Sequence, residues 1–299
     1  MKEVTDKLEL VHDAKAILGE GPIWDERSGK LYWVNILGKS IQSFDPRSGN
    51  TKVYELDQYP GTLALKEDGG FVLAAQNGFY SLGLNEDGTS DLEKIADPEE
   101  HLPGNRFNDG KCDPRGRFLA GTLSLKEDKG AGSLYRLNLD GTVDVLMNDL
   151  TISNGMAWSD DGTVFYFIDT PTMQVKAYSY NLDIGEVGEG RVVKDFTDEL
   201  GAPDGMTIDD EGMLWVALYG GWGVVQIDPA DGKVLQKIDV PASNVTCCAF
   251  GGENLDELYI TTARQQLSDN DLKEQPHAGG LFRYRPGVKG RPSFRYAGE

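Results

Sequence analysis

An all-β fold, a six-bladed β-propeller with four-stranded blades, is predicted by evenly spaced turns, short strand-like segments and the lack of any helical periodicity. The turn glycines Gly29, Gly69, Gly116, Gly162 and Gly212 recur at intervals of about 40 to 50 residues, and Asp256 with Glu257 marks a degenerate sixth turn. Between the turns lie short segments rich in Val, Tyr, Phe, Trp and Leu, and no long stretch shows the apolar repeat of a helix. Units of about 45 residues match one propeller blade. A sandwich or a pair of smaller β domains fits that phasing less well. A WD-type repeat is discounted, because Trp24-Asp25 has no Gly-His partner at the usual offset.

Each turn leads into an expected strand: Leu31 to Val34, Phe71 to Ala75, Phe118 to Gly121, Val164 to Ile168, Met213 to Leu218 and Leu258 to Thr261. Another follows in most units, as Ser40 to Phe44, Gly78 to Leu82, Ser133 to Leu137, Val175 to Tyr180, Gly223 to Ile227 and Gly280 to Tyr284. Further turns are signalled at Asp45-Pro46, Asn85 to Gly88, Asp140-Gly141 and Asp228-Pro229. A propeller must join its first and last blades, and the strand-like segment Leu8 to Leu18 is placed to do so beside the carboxy-terminal strand. The whole chain, 1–299, is therefore expected to form one domain.

Lys and Arg total 29 against 49 Asp and Glu, a formal charge of −20, which repels phosphate backbones and anionic lipid. Nucleic acid and membrane partners are disfavoured on that ground. Met1 to Leu18 is studded with charge and lacks the apolar core of a signal peptide, and no stretch is long and apolar enough to span a bilayer. The expectation is a soluble, cytoplasmic protein, a monomer or weak homo-oligomer. Three cysteines, Cys112, Cys247 and Cys248, fit neither a disulfide framework nor a metal-ligand spacing and read as small buried residues.

Four polar residues share one register. Glu20 stands four residues before Trp24, Asn108 four before Cys112, Asn154 four before Trp158 and Asp204 four before Ile208. Gly61 and Thr246 hold the matching place in the second and sixth units and add no charge. The innermost strands of a propeller line its central channel, so residues in one register converge there. Taken singly, Asn154-Gly155 and Asp204-Gly205 read as turn residues that bond their own backbone. Taken together, facing carboxylates and amides are costly to bury without a cation, and their oxygens are what a hard divalent ion takes as ligands. His12, His101 and His277 are scattered outside this set, and no nucleophile elbow, phosphate-binding loop or His-Glu-x-x-His motif is present.

The segments Leu18-Gly-Glu-Gly-Pro-Ile-Trp24, Arg106-Phe-Asn-Asp-Gly-Lys111, Ser153-Asn-Gly-Met-Ala-Trp158 and Pro203-Asp-Gly-Met206 resemble the senescence marker protein 30 (regucalcin) and gluconolactonase family. The resemblance runs from about Ala16 to the Leu281 to Tyr284 strand and includes Gly251-Gly252 and Thr261 to Arg264. It implies six blades around a single divalent ion and hydrolysis of sugar lactones, aldonolactones such as gluconolactone. By that match Glu20, Asn154 and Asp204 correspond to metal ligands, Arg106 and Asn108 to a substrate-contacting pair, and Asp204 to a general base. Asn108 also resembles a metal ligand of related organophosphate-hydrolysing propellers. One departure stands out: vertebrate members carry a glutamate on the loop after Ala120-Gly121-Thr122, where this chain has Lys126, followed by Glu127. Lys126 is accordingly assigned to substrate, and the vertebrate sugar preference is not carried over.

Calcium is the first expectation for the ion, with zinc, magnesium, manganese or iron as alternatives. Such an ion would stabilise the oxyanion of an attacked lactone, and Arg106 offers a donor fork to ring oxygen, hydroxyl or carboxylate. A carboxylate bound to a cation is a weaker base, so Asp204 must use a free oxygen or leave most of the activation to the ion. Two other readings of the same residues stay open: an organophosphate or ester hydrolase, and a calcium-binding or scaffolding propeller without catalysis.

Overall fold

The computed structural model describes residues 8–199 and 201–298. The strands form six four-stranded sheets, and the first five run outward in chain order. The first blade is Gly19–Asp25, Lys30–Asn35, Ser40–Phe44 and Thr51–Glu55, and the second is Pro60–Leu65, Phe71–Ala75, Gly78–Leu84 and Ser90–Ala96. Asn105–Cys112, Phe118–Ser124, Gly132–Leu137 and Val143–Leu150 make the third. Ser153–Trp158, Val164–Asp169, Gln174–Asn181 and Glu186–Asp195 make the fourth. The fifth holds Ala202–Ile208, Leu214–Tyr219, Gly223–Asp228 and Lys233–Asp239. Val245–Gly251, Glu257–Thr262 and Leu281–Tyr284 build the sixth, and Glu9–His12 completes it from the other end of the chain.

That last pairing is the closure expected of Leu8 to Leu18. Leu10 lies opposite Phe282 and Glu9 opposite Arg283, whose guanidinium donates to Glu9 Oε2 at 2.6 Å. The part of the polar amino-terminal segment from Met1 to Lys7 lies outside the described residues. Innermost strands pack in a ring, each against the next, with Gly19–Asp25 against Val245–Gly251 to finish the circle. Burial follows position in the blade: Ser153–Trp158 is buried throughout, whereas outermost Lys233–Asp239 largely alternates, as a sheet with one wet face must. Aromatic rings fill the seams between blades, as where Phe79 meets Phe107 tilted at 4.6 Å and Trp215 meets Phe250 edge-on at 5.9 Å.

The acidic turns hold themselves together with their own carboxylates, as predicted. Asp113 Oδ1 accepts from the N–H groups of Arg115 and Arg117, and Asp25 accepts from Arg27 and Ser28. Asp209 goes further, because its fully buried carboxylate accepts from Glu211 N, Met213 N, Trp215 Nε1 and Gln226 Nε2. Asp209→Ala would strand these buried donors and is expected to cost about 3 kcal/mol or more. A urea unfolding free energy that changes by less than about 0.5 kcal/mol would show that the donors find other partners.

Two features were not expected from the sequence. A six-residue helix, Asp269–Glu274, lies in the connection between Thr262 and Leu281, started by a capping box of Ser268 with Asp271. It buries no residue, so it carries no apolar period to read. Beyond Tyr284 the chain crosses one face of the disc: Gly290 N donates to Leu255 O, Asp210 N to Lys289 O, Tyr296 N to Leu65 O and Ala297 N to Gly116 O. Tyr296 is fully buried by that crossing. Among the described residues no helix is long and apolar enough to cross a membrane.

Candidate functional site

Every innermost strand carries one extra residue at the same height. Register against the second strand slips between Glu20 and Ile23, Pro60 and Thr62, Phe107 and Gly110, Ser153 and Met156, Pro203 and Met206, and Val245 and Cys247. A bulge of this kind re-aims the side chains that flank it. Here it brings Glu20, Asn108, Asn154 and Asp204 to one buried ring, with 4%, 7%, 4% and 5% exposure. Glycines beside the ring let the strands approach: a Cβ on Gly155 would meet Asp204 O at 2.7 Å, and one on Gly205 would meet Cys247 Sγ at 2.3 Å. Asn154 and Asp204 lie in strands rather than turns, although the Asp204 carboxyl does bond the adjacent N–H of Gly205.

The amides are tied in sequence. Arg106 Nη1 donates to Asn108 Oδ1 at 2.8 Å and to Phe107 O at 2.9 Å. Asn108 Nδ2 in turn donates to Ser153 O at 2.9 Å and Asn154 Oδ1 at 3.2 Å. Asn154 Nδ2 donates to Thr170 Oγ1 at 2.9 Å, and that hydroxyl donates to Pro203 O at 2.8 Å.

The carboxylates are not satisfied in the same way. Glu20 Oε2 accepts from Gly21 N at 3.0 Å, but buried Asp204 Oδ1 has no hydrogen-bond partner. Burial, reinforced for Glu20 by the charges of Asp204 and Asp109 and for Asp204 by that of Asp109, pushes both carboxyls well above the usual carboxylate range. Asp109 is a third buried carboxyl, raised by desolvation, and its Oδ1 accepts from Gly110 N at 2.7 Å. Sequence reasoning missed it, because strict strand alternation sends the residue after Asn108 away from the channel. The strand is buried on both faces, and the Asp109-Gly110 pair reads as a turn until that is known.

Above the ring opens a cavity of about 210 Å³, lined by Glu20, Arg106, Asn108, Asn154 and Asp204 together with Glu127, Thr170, Tyr219, Gln265 and Gln266. Desolvation lowers the Arg106 pKa to about 10, against the opposing pull of Glu20, Glu127 and Tyr59. Lys126 is not among the lining residues; from its loop Leu123 and Glu127 are, and Glu127, like Lys126 on the exposed rim, is held at φ 56°. On the opposite side of the ring lie Asp109, Lys111 and Cys247, with Arg291, Ser293 and Phe294 of the crossing tail beneath them. Lys111 Nζ donates there to Met206 O at 2.9 Å.

The donor set was tested against a divalent ion. Two buried carboxylates with like-charge repulsion, one bare buried oxygen and an adjoining amide are groups that a hard cation satisfies. No cluster of three His, Cys, Asp or Glu poised to hold a metal occurs among the described residues, so a third protein donor here would be an amide oxygen. The residues fit the ion. The three cysteines are free and buried, as expected, and burial raises their thiols, so they offer no thiolate to such a site.

The chain is similar to known proteins. The family description SMP-30/Gluconolactonase/LRE-like region matches residues 18–264. A Bacillus subtilis (strain 168) protein named, provisionally, sugar lactone lactonase YvrE is 44% identical over 97% of this chain and 98% of its own. Regucalcin of Oryctolagus cuniculus is 38% identical over 98% of this chain and 99% of its own. The crystal structure of a calcium-binding protein, regucalcin, from Agrobacterium tumefaciens superposes with a TM-score of 0.90 at 33% identity, covering 96% of both chains. The blades, their bulged inner strands and these matches agree: the chain belongs to the SMP-30/gluconolactonase/LRE-like family.

Proposed function

We propose that this protein is a metal-dependent lactonase that opens small sugar lactones to their hydroxy acids. The observation that carries the proposal is the bare Asp204 oxygen beside buried Glu20, under a cavity that also presents Arg106. The names of the relatives, a sugar lactone lactonase and regucalcins, support it. Glu20, Asp204 and the amide oxygen of Asn154 would hold the ion, calcium in first place because every donor is oxygen. Such an ion supplies Lewis acidity toward a carbonyl and lowers the pKa of nearby water.

The chain's own groups divide the remaining work. Asp204 takes a proton from the attacking water as the new C–O bond forms at the lactone carbonyl. Arg106 donates to substrate oxygens and steadies the negative charge that results. When the tetrahedral centre collapses, the ring C–O bond breaks and the departing ring oxygen collects a proton, giving one hydroxy acid per lactone. Asn108 serves as a bridge between Arg106 and Asn154. Its Oδ1 accepts from Arg106 and its Nδ2 donates to Asn154 Oδ1.

A pH-indicator assay of acid release from a panel of aldonolactones, with and without chelator, tests the proposal. Chelator-sensitive turnover is the expected result, and turnover of no lactone above background would remove it. Hydroxyl recognition falls to Glu127. Glu127→Gln is expected to raise KM for polyhydroxylated lactones about tenfold or more, whereas Lys126→Gln leaves KM nearly unchanged; the reverse pattern would return the role to Lys126.

A further inference from the structure

An amide ligand has two chemically opposite ends, and only its oxygen can face a cation. Nothing in the strand itself decides which end of Asn154 does so. Asn108 Nδ2 holds its Oδ1 from one side, and on the other side the contact that holds the amide is Thr170, which follows the second strand of the fourth blade and lines the cavity. Its backbone N–H is anchored on Ile152 O at 3.1 Å. Its single hydroxyl proton goes to Pro203 O, which can only accept. Toward Asn154 the hydroxyl is therefore left with a lone pair, and the group it meets at 2.9 Å is the Nδ2 of the amide. One N–H of the amide thus goes to Thr170, the side chain also bonds the Asp204 carboxyl, and Oδ1 is turned toward Asn108 Nδ2.

Pro203 directly precedes Asp204 on the neighbouring ligand strand. One hydroxyl consequently ties the Asn154 strand to the Asp204 strand just outside the ring. The anchor beneath it is firm, because Asp169 accepts from the N–H groups of Thr151 at 3.1 Å and Ile152 at 2.8 Å.

We infer that Thr170 is the positioning residue of the cation site: its hydroxyl sets the polarity of the Asn154 amide and fixes the spacing of the Asn154 and Asp204 strands. This rests on the metal-dependent reading above. Groups that orient metal ligands from behind typically change metal affinity by about 10- to 100-fold when removed.

The test is calorimetric titration of the chelator-stripped full chain with calcium chloride, repeated with manganese chloride. The parent is compared with Thr170→Val, which keeps the shape and removes the hydroxyl, with Thr170→Ser, which keeps the hydroxyl, and with Glu20→Gln. Thr170→Val is expected to bind about tenfold or more weakly, with Thr170→Ser close to the parent. Saturating cation should return kcat of Thr170→Val toward the parent value, because Asp204 and Arg106 are untouched. A merely structural role would lower the melting temperature of Thr170→Val in chelator and leave its Kd alone, which overturns the inference. If the parent binds and Glu20→Gln does not, equal affinity in Thr170→Val sinks the Thr170 role alone. If the parent binds neither cation, the metal-dependent reading falls and takes this inference with it.

Discussion

Exchanging Asp204 for Asn is expected to lower kcat/KM on aldonolactones by about 10³-fold while making the metal-free protein more resistant to heat. The two effects share one cause. Asp204 sits 5% exposed with one oxygen unpartnered, raised by burial and then by the charge of Asp109. A neutral amide of the same shape removes a buried charge, which stabilises the fold, and removes the base and a cation donor, which stops the chemistry. Parallel rate assays and thermal melts in chelator check this. Retention of more than about a tenth of the activity would take the base role from Asp204, and a lower metal-free melting temperature would show that its carboxylate is already compensated.

Removal of the cation should have the second-largest effect, bringing turnover to background and inverting the response of stability to pH. Glu20 and Asp204 are each raised, by burial first and by neighbouring carboxylates next, above ordinary values of 4.5 and 3.8. The folded chain therefore holds protons that the unfolded chain has released. Their contribution to stability is full below the ordinary carboxylate range and is lost as pH rises through the raised values. Exposed acids that are held low, such as Asp161 at about 2 through its bonds to Ser159 and Thr163, have finished titrating below this window. Melts in chelator should thus fall in temperature from about pH 5 toward neutrality, and calcium should restore more at the higher pH, since ligands must shed protons to bind. A calcium-induced shift that is the same at every pH would mean that the ion does not bind these carboxylates.

The repeat of acidic turns made the propeller legible, because each blade reuses one hairpin pattern and the strand after each turn follows directly. Closure by the amino-terminal strand was legible too, since a ring of sheets needs a partner for Leu281–Tyr284 and Glu9–His12 supplies it. The ring itself came from register, and Glu20, Asn108, Asn154 and Asp204 do meet. What escaped was whatever breaks the repeat. Asp109 follows Asn108 and lies on the other side of the ring beside Lys111 and Cys247, in a strand buried on both faces, so the shared register does not single it out. Which residue of the loop after Ser124 lines the cavity, Glu127 and not Lys126, follows no repeat. Gln265 and Gln266 arrive from the helix-bearing connection, which has no counterpart in the other units.

The pairing of Glu9 with Arg283, 274 positions apart, also governs how the molecule is made. A chain leaving the ribosome can assemble its early blades as each hairpin emerges, yet its amino-terminal ribbon has no partner until Leu281–Tyr284 has emerged. Contacts so distant in sequence are slow to form and expose apolar edges meanwhile. Closure of the disc thus waits on Leu281–Tyr284, and shielding of Glu9–His12 during translation would act at the step where such a disc is most prone to aggregate.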